Sequence, residues 1–516
     1  LYYERSIDSM YEESISHFNL WSYLKGRELN SKKALSYAVY NSKDKKIINK
    51  YDDWCRINKN ISVSFEKDKY ERALLGWNIE ELQNEADNIE RYLLKTLSLN
   101  FRKLDNDFFS NITLALTYNE AYIDVIQASF GYHAYVIKKG DSIPELVYLG
   151  SGSDFDSIYN YYSNYTQKRP SNKTFGYGDE YYGNICHEKF WGQLEPYLEG
   201  VSNIYFSPDG VYSKVNHNVL FDSTSSSFLI DKYNIVYVSN VEDFINQKEN
   251  IQLYERPDDL HAVLVGNPTF LLGEDEVVFA SNEKQSRAIN QDELDSLQRG
   301  ASLSQLPATQ TEVDLISDNL KSKGWDVELI SGVDATETRV KSIEAPKILH
   351  IATHGFFFED QEMVKRSNMI SKDNKKAVAN PMTRSGLIFS GAENTMNGEI
   401  LADDNGWLNS YEASLLNLRG TELVVLSACE TGSGDVQNGK GVYGLQRAIR
   451  VAGAESLIMS MWEVDDKATQ ELMTYFYDYW IDKNMTKKEA FKGAQQKIRE
   501  KYKHPYYWGA FIMLGQ

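Results

Sequence analysis

Residues 348–355 read Ile-Leu-His-Ile-Ala-Thr-His-Gly, and residues 423–432 read Leu-Val-Val-Leu-Ser-Ala-Cys-Glu-Thr-Gly. Each opens on a short, largely apolar run (Ile348 to Ala352, Leu423 to Ser427) of the kind that forms strands buried on both faces of a parallel sheet. Each run then stops, at Thr353-His354-Gly355 and at Ala428-Cys429-Glu430. In an open α/β sheet, chemistry collects in the crevice beyond the carboxyl ends of the strands. The two strings therefore predict an α/β fold with an imidazole and a thiol over one rim.

Working outward, the sequence after Cys429 keeps an α/β rhythm. It predicts a helix over 441–452, a strand over 456–462, helices over 466–481 and 487–501, and a closing strand over 508–514. Upstream, 261–265 reads as a strand and 311–323 as a helix closed by Gly324. Period-two alternation marks strands at 121–128, 133–137 and 145–149, with further strands at 201–207 and 234–238 and helical signal over 188–198. Before about 105 the pattern is helical. Ile79, Leu82, Ala86, Ile89, Leu93 and Leu97 share one face, and 10–24 and 29–40 read as two helices joined by a short polar turn. The stretches 271–309 and 359–400 lack periodicity and are expected to be long loops. The resulting division is 1–106 helical, 107–258 a first α/β unit, and 259–516 a second.

The bulk numbers fit this plan. A chain of 516 residues with 42% hydrophobic content exceeds one core. No apolar stretch approaches the roughly 20 residues needed to cross a bilayer. The start carries no export-signal pattern and no initiator Met, as a fragment would. A net charge of -19 argues against general nucleic-acid affinity. Cys55, Cys186 and Cys429 are odd in number and far apart, which excludes a disulfide framework, makes a zinc cluster unexpected and suits a reducing cytoplasm.

His354 and Cys429 together have the chemistry of a cysteine nucleophile with its base. The imidazole takes the thiol proton, the thiolate attacks a peptide carbonyl, and the backbone N–H groups of Gly355 and Cys429 are candidate oxyanion donors. No metal or organic cofactor is needed. His350 lies too deep in its strand to share this work and reads as a core histidine. Cys186 and His187 are adjacent, so their side chains diverge, and His133, His217 and His261 show no partner in the sequence. Gly434 to Gly441 approaches a phosphate-binding loop, but Gly441 stands where that motif needs Ser or Thr.

At these residues the sequence strongly resembles the CHAT proteases, relatives of caspases and separase. The likeness extends through Ser385-Gly-Leu-Ile-Phe-Ser-Gly-Ala, Gly441-Val-Tyr-Gly-Leu-Gln-Arg-Ala, Val451-Ala-Gly-Ala, Met461-Trp-Glu-Val-Asp-Asp-Lys and Tyr507-Trp-Gly-Ala-Phe. It covers about 110–516. The resemblance implies a caspase-like catalytic unit, carrying the His354–Cys429 dyad, after a degenerate caspase-like unit without catalytic residues. The helices before them look like the end of a tetratricopeptide array. It also implies an effector switched on by a protein partner, for example in antiphage defence. Relatives often take a basic residue in an acidic pocket. Asp435, Glu463, Asp465 and Asp466 are the candidate acids, with Trp462 and Phe389 as apolar walls. Asp465 or Asp466 could instead cap the next helix. A different class stays open, a binding scaffold with a vestigial dyad.

Overall fold

The structure is a computed structural model that describes residues 2–66, 78–98, 107–170, 174–251, 254, 256, 258–273, 288–289, 302–357, 381–396, 405–428, 435–437 and 441–515. Its frame is one eleven-stranded sheet. In chain order the strands are β1 (Glu120–Ala128), β2 (Gly131–Lys138), β3 (Glu145–Gly150), β4 (Asn203–Ser207), β5 (Asn234–Tyr237), β6 (His261–Pro268), β7 (Asp326–Gly332), β8 (Ile348–Ala352), β9 (Leu423–Ser427), β10 (Ser456–Ser460) and β11 (Phe511–Leu514). Across the sheet they run β7-β6-β8-β9-β10-β11-β5-β4-β1-β2-β3. The five strands from β7 to β10 are mutually parallel. β11 lies antiparallel to β10 and meets β5 at Leu514 and Tyr237. β5, β4 and β1 are again parallel, while β2 and β3 close the far side as antiparallel hairpins. The two α/β units therefore share one sheet, joined at β11.

β8, β9 and β10 are buried at every residue, as apolar runs covered on both faces must be. Helix Pro307–Ser322 presses Val313, Ile316 and Leu320 into the core. It begins inside the stretch expected to be loop, because Pro307 at its first turn lacks only an N–H the helix does not use there. Two more differences concern element type. Gly441–Tyr443 is a strand paired with Asp435–Gln437, and the helix starts only at Leu445. A phosphate loop needs its last glycines to run into a helix, so this hairpin removes that reading. Trp508 ends a short helix, and the closing strand starts at Phe511.

The helical region also differs from expectation. Residues Tyr2–Asn41 form a single 40-residue helix, not two. Lys25, in the stretch expected to turn, continues the helix and points into the protein, as does Lys33 two turns on. Lys25 is buried against Asp124, and Lys33 against Asp243. Gly26 leaves no room for a side chain, since an added Cβ would lie 2.6 Å from Asn30 Nδ2 and 3.3 Å from the Asn240 amide carbon. Helices Lys45–Glu66 and Ile79–Thr96 pack on the far end of this rod through Leu35, Val39, Ile57, Ala86, Ile89 and Leu93. The near end sets Phe18 against Phe109 and Tyr135 of the first unit. Contacts to the second unit come from Tyr40 under the Arg419 guanidinium and from Asn58, which accepts the Tyr411 hydroxyl at 2.9 Å.

His217 sits in the core of the first unit, with its Nδ1 3.2 Å from the Tyr237 hydroxyl and its ring stacked on Tyr212. Burial pushes its imidazole down to about 3. The unfolded ring, near 6.5, binds a proton that the folded ring refuses, so this contribution is complete above pH 6.5 and is lost as pH falls toward 3. At pH 4.5 the loss from this group is about 3 kcal/mol. Urea unfolding at pH 7 and pH 4.5 should show it, and His217→Gln should flatten the difference. An unchanged slope in that variant would refute the assignment.

Candidate active site

β8 and β9 are neighbours in register, Ile348 beside Leu423 through Ala352 beside Ser427. His354 leaves the end of β8 and is fixed by a second, four-stranded sheet formed by Trp407–Asn409, Ser385–Ile388, Gly355–Phe357 and Ala288–Ile289. The Thr353 hydroxyl donates to the Ile388 carbonyl at 2.5 Å, and the Ile388 N–H returns a bond to the His354 carbonyl at 3.0 Å. Gly355, expected in a turn, instead opens the strand that pairs with Leu387. The imidazole is 2% exposed and lies against the Phe270 ring at 5.0 Å. Its Nε2 is 2.8 Å from the Ser304 carbonyl oxygen. A carbonyl can only accept, so Nε2 carries the proton, and in the neutral ring Nδ1 is the basic nitrogen.

Cys429 lies outside the described residues. Ala428, just before it, is held in place by the Ser460 hydroxyl of β10, which donates to its carbonyl. Of Asp435 only the backbone is described, in its hairpin strand. Asp465 caps helix Asp466–Tyr477, accepting the Ala468 N–H at 3.0 Å, and its other oxygen pairs with Arg169 at 2.7 Å. Asp466 is 2% exposed and accepts the Ala308 N–H at 3.2 Å, docking the start of helix Pro307–Ser322. Trp462 is 1% exposed, donates to the Tyr506 carbonyl and meets Tyr162, so it joins the two units from inside. Phe389 is likewise fully buried. Glu463 is half-buried and has no partner among the described residues.

His350 is the core histidine its depth suggested, bonded to Glu312 at 2.9 Å and to the Tyr477 hydroxyl at 3.3 Å. His261 pairs with Asp326 at 3.2 Å. His187, Glu195 and Asp222 bring ligand atoms within 4.8 Å of one another. The Lys232 ammonium already stands there, 2.5 Å from Asp222 and 3.4 Å from Glu195, and fills the role a metal cation would have. Sequence reasoning missed Ser304 and Phe270. Ser304 works through its backbone carbonyl, which any residue type supplies, and Phe270 follows β6 with no motif around it.

Fold and site define an α/β protein with a buried, tautomerically fixed histidine at the carboxyl rim of its second unit. Residues 182–516 match the model of the CHAT domain, more than half of the chain, and the chain belongs to that family. A 107-residue stretch is 33% identical to tetratricopeptide repeat protein 28 of Mus musculus, covering 20% of this chain and 4% of that protein. The chain thus spans a small fraction of that curated relative. Among solved structures, the Saccharomyces cerevisiae separase–securin complex aligns with a TM-score of 0.35 and 10% identity, over 95% of this chain and 27% of that one. The Arg specific cysteine proteinase gingipain R aligns with a TM-score of 0.34 and 10% identity, over 66% of this chain and 67% of that one. Among the described residues, no helix is long and apolar enough to cross a membrane.

Proposed function

We propose that the chain is a cysteine endopeptidase in which His354 serves Cys429. The observation that carries this reading is register. Ala352 and Ser427 are partners at the ends of adjacent parallel strands, and His354 and Cys429 are each the second residue beyond them in the chain. Neighbouring strands are about 4.8 Å apart, a spacing that an imidazole and a thiol can bridge. The tautomer supports the same roles. Nδ1 of His354 accepts the thiol proton, while the Nε2–H bond to Ser304 steadies the imidazolium that forms. The thiolate adds to the peptide carbonyl, and the imidazolium gives its proton to the leaving amine. Water, deprotonated by the same ring, then releases the acyl group. Glu463 is the described acid left to receive a basic substrate residue, since Asp465 and Asp466 are engaged in the fold. The helical region, fastened to both units, is the surface through which a protein partner would act on the site.

Alkylation tests this reading against that of a scaffold with a vestigial dyad. Burial pushes the thiols of Cys55 and Cys186 up to about 12. At pH 7 they are ionised to roughly one part in 10⁵, whereas an imidazole-paired thiol, titrating between about 3.5 and 7.5, is thiolate to about a quarter or more. Iodoacetamide should therefore modify Cys429 first, and several-fold more slowly in His354→Ala. Labelling of Cys429 at the rate of an ordinary free thiol, unchanged in His354→Ala, would favour the scaffold.

A further inference from the structure

The first unit has its own rim. β4 and β5 are adjacent parallel strands beside β1, as β8 and β9 are beside β6. Beyond their carboxyl ends, where Pro208 and Val238 leave the sheet, lies a cleft of about 730 Å³ including its open mouth. It is bounded by the long N-terminal helix, the β11 seam and helix Leu445–Ala452. In topology it is the first unit's counterpart of the rim that carries His354, and open α/β sheets bind ligands at such places.

Its wall is unusual for a chain of net charge -19. Lys25, Arg447 and Arg450 line it at 6%, 6% and 8% exposure, and among the described residues no Asp or Glu does. Lys25 and Arg450 are balanced by Asp124 and Asp243, which stand outside the lining. Even so, Arg450 Nε and the Ser213 hydroxyl have no partner among the described residues, although both are buried. A buried donor without an acceptor is costly unless a ligand supplies one. Val215 and Ile512 add an apolar side.

We propose that this cleft binds a small organic anion, a carboxylate or phosphate monoester on a short apolar body. Arg447, Arg450 and Ser213 take the charged end, and Val215 and Ile512 take the body. The site is independent of the peptidase reading, because its test measures binding and not cleavage. Titration calorimetry on the whole chain, with hexanoate, hexyl phosphate and inorganic phosphate as probes, should give saturable one-site binding of hexanoate or hexyl phosphate that weakens with salt. Whichever of the two binds more tightly identifies the head group, and weaker binding of inorganic phosphate identifies the apolar contribution. Arg447→Gln should weaken binding by about tenfold, the usual loss for one charge-assisted bond. Ser213→Val, which leaves every ion pair intact, should weaken it as well and guards against a misfolded arginine variant. No saturable heat up to roughly 10 mM, a range that covers very weak binding, would overturn the proposal. So would affinity that neither substitution alters, or inorganic phosphate binding as tightly as the alkyl probes.

Discussion

Cys429→Ala is expected to lower peptide-bond cleavage by roughly 10⁴-fold or more while the chain stays folded, because removing the nucleophile of a catalytic unit removes most of what the unit does. The fold should tolerate the change. Ala428 before it is anchored by Ser460, and the strands that frame the position draw their stability from apolar runs. A peptide-library cleavage profile of wild type and variant, with circular dichroism of both, checks the two halves of this expectation. His354→Ala should fall nearly as far, since residues that act as a unit are non-additive. Retained cleavage in the cysteine variant would remove the peptidase assignment.

The second large effect concerns stability. Lys25 and Asp124 are 2.5 Å apart at 2% and 1% side-chain exposure, and the Lys25 ammonium also reaches the Val125 carbonyl and both oxygens of Ser207. Asp124→Ala would leave that ammonium buried without its counter-charge, at a cost of about 3–5 kcal/mol. Replacing both partners, as Lys25→Met with Asp124→Leu, should recover most of the loss, because no buried charge then remains. Urea midpoints of the single and double variants measure this. If the single variant costs no more than the double, the pair does not fasten the helix in the way described.

The same pair shows where the sequence was legible and where it was not. β8, β9 and β10 were readable because a strand covered on both faces needs an unbroken apolar run, and that is a local property. The continuity of helix Tyr2–Asn41 was not readable. Lys25 and Lys33 look like surface lysines until Asp124 and Asp243 are in place, 99 and 210 residues further along. Gly441–Tyr443 is illegible for a different reason, since a three-residue strand is too short to show a period. Of the candidate site, His354 announced itself through its position after β8. Ser304 could not, because its contribution is a carbonyl that every residue has. Asp465 showed its capping role in the sequence, but its bond to Arg169 spans 296 residues.

The position of β11 has a consequence for how the chain is made. Residues 511–514 fill the middle of the sheet although they are synthesised after every other strand in it. Until they emerge from the ribosome, β10 presents an open row of backbone donors and acceptors along Leu457 to Ser460, the kind of surface that invites wrong partners. A nascent chain stalled before residue 511 should bind holdase chaperones tightly, and release past 514 should end that association.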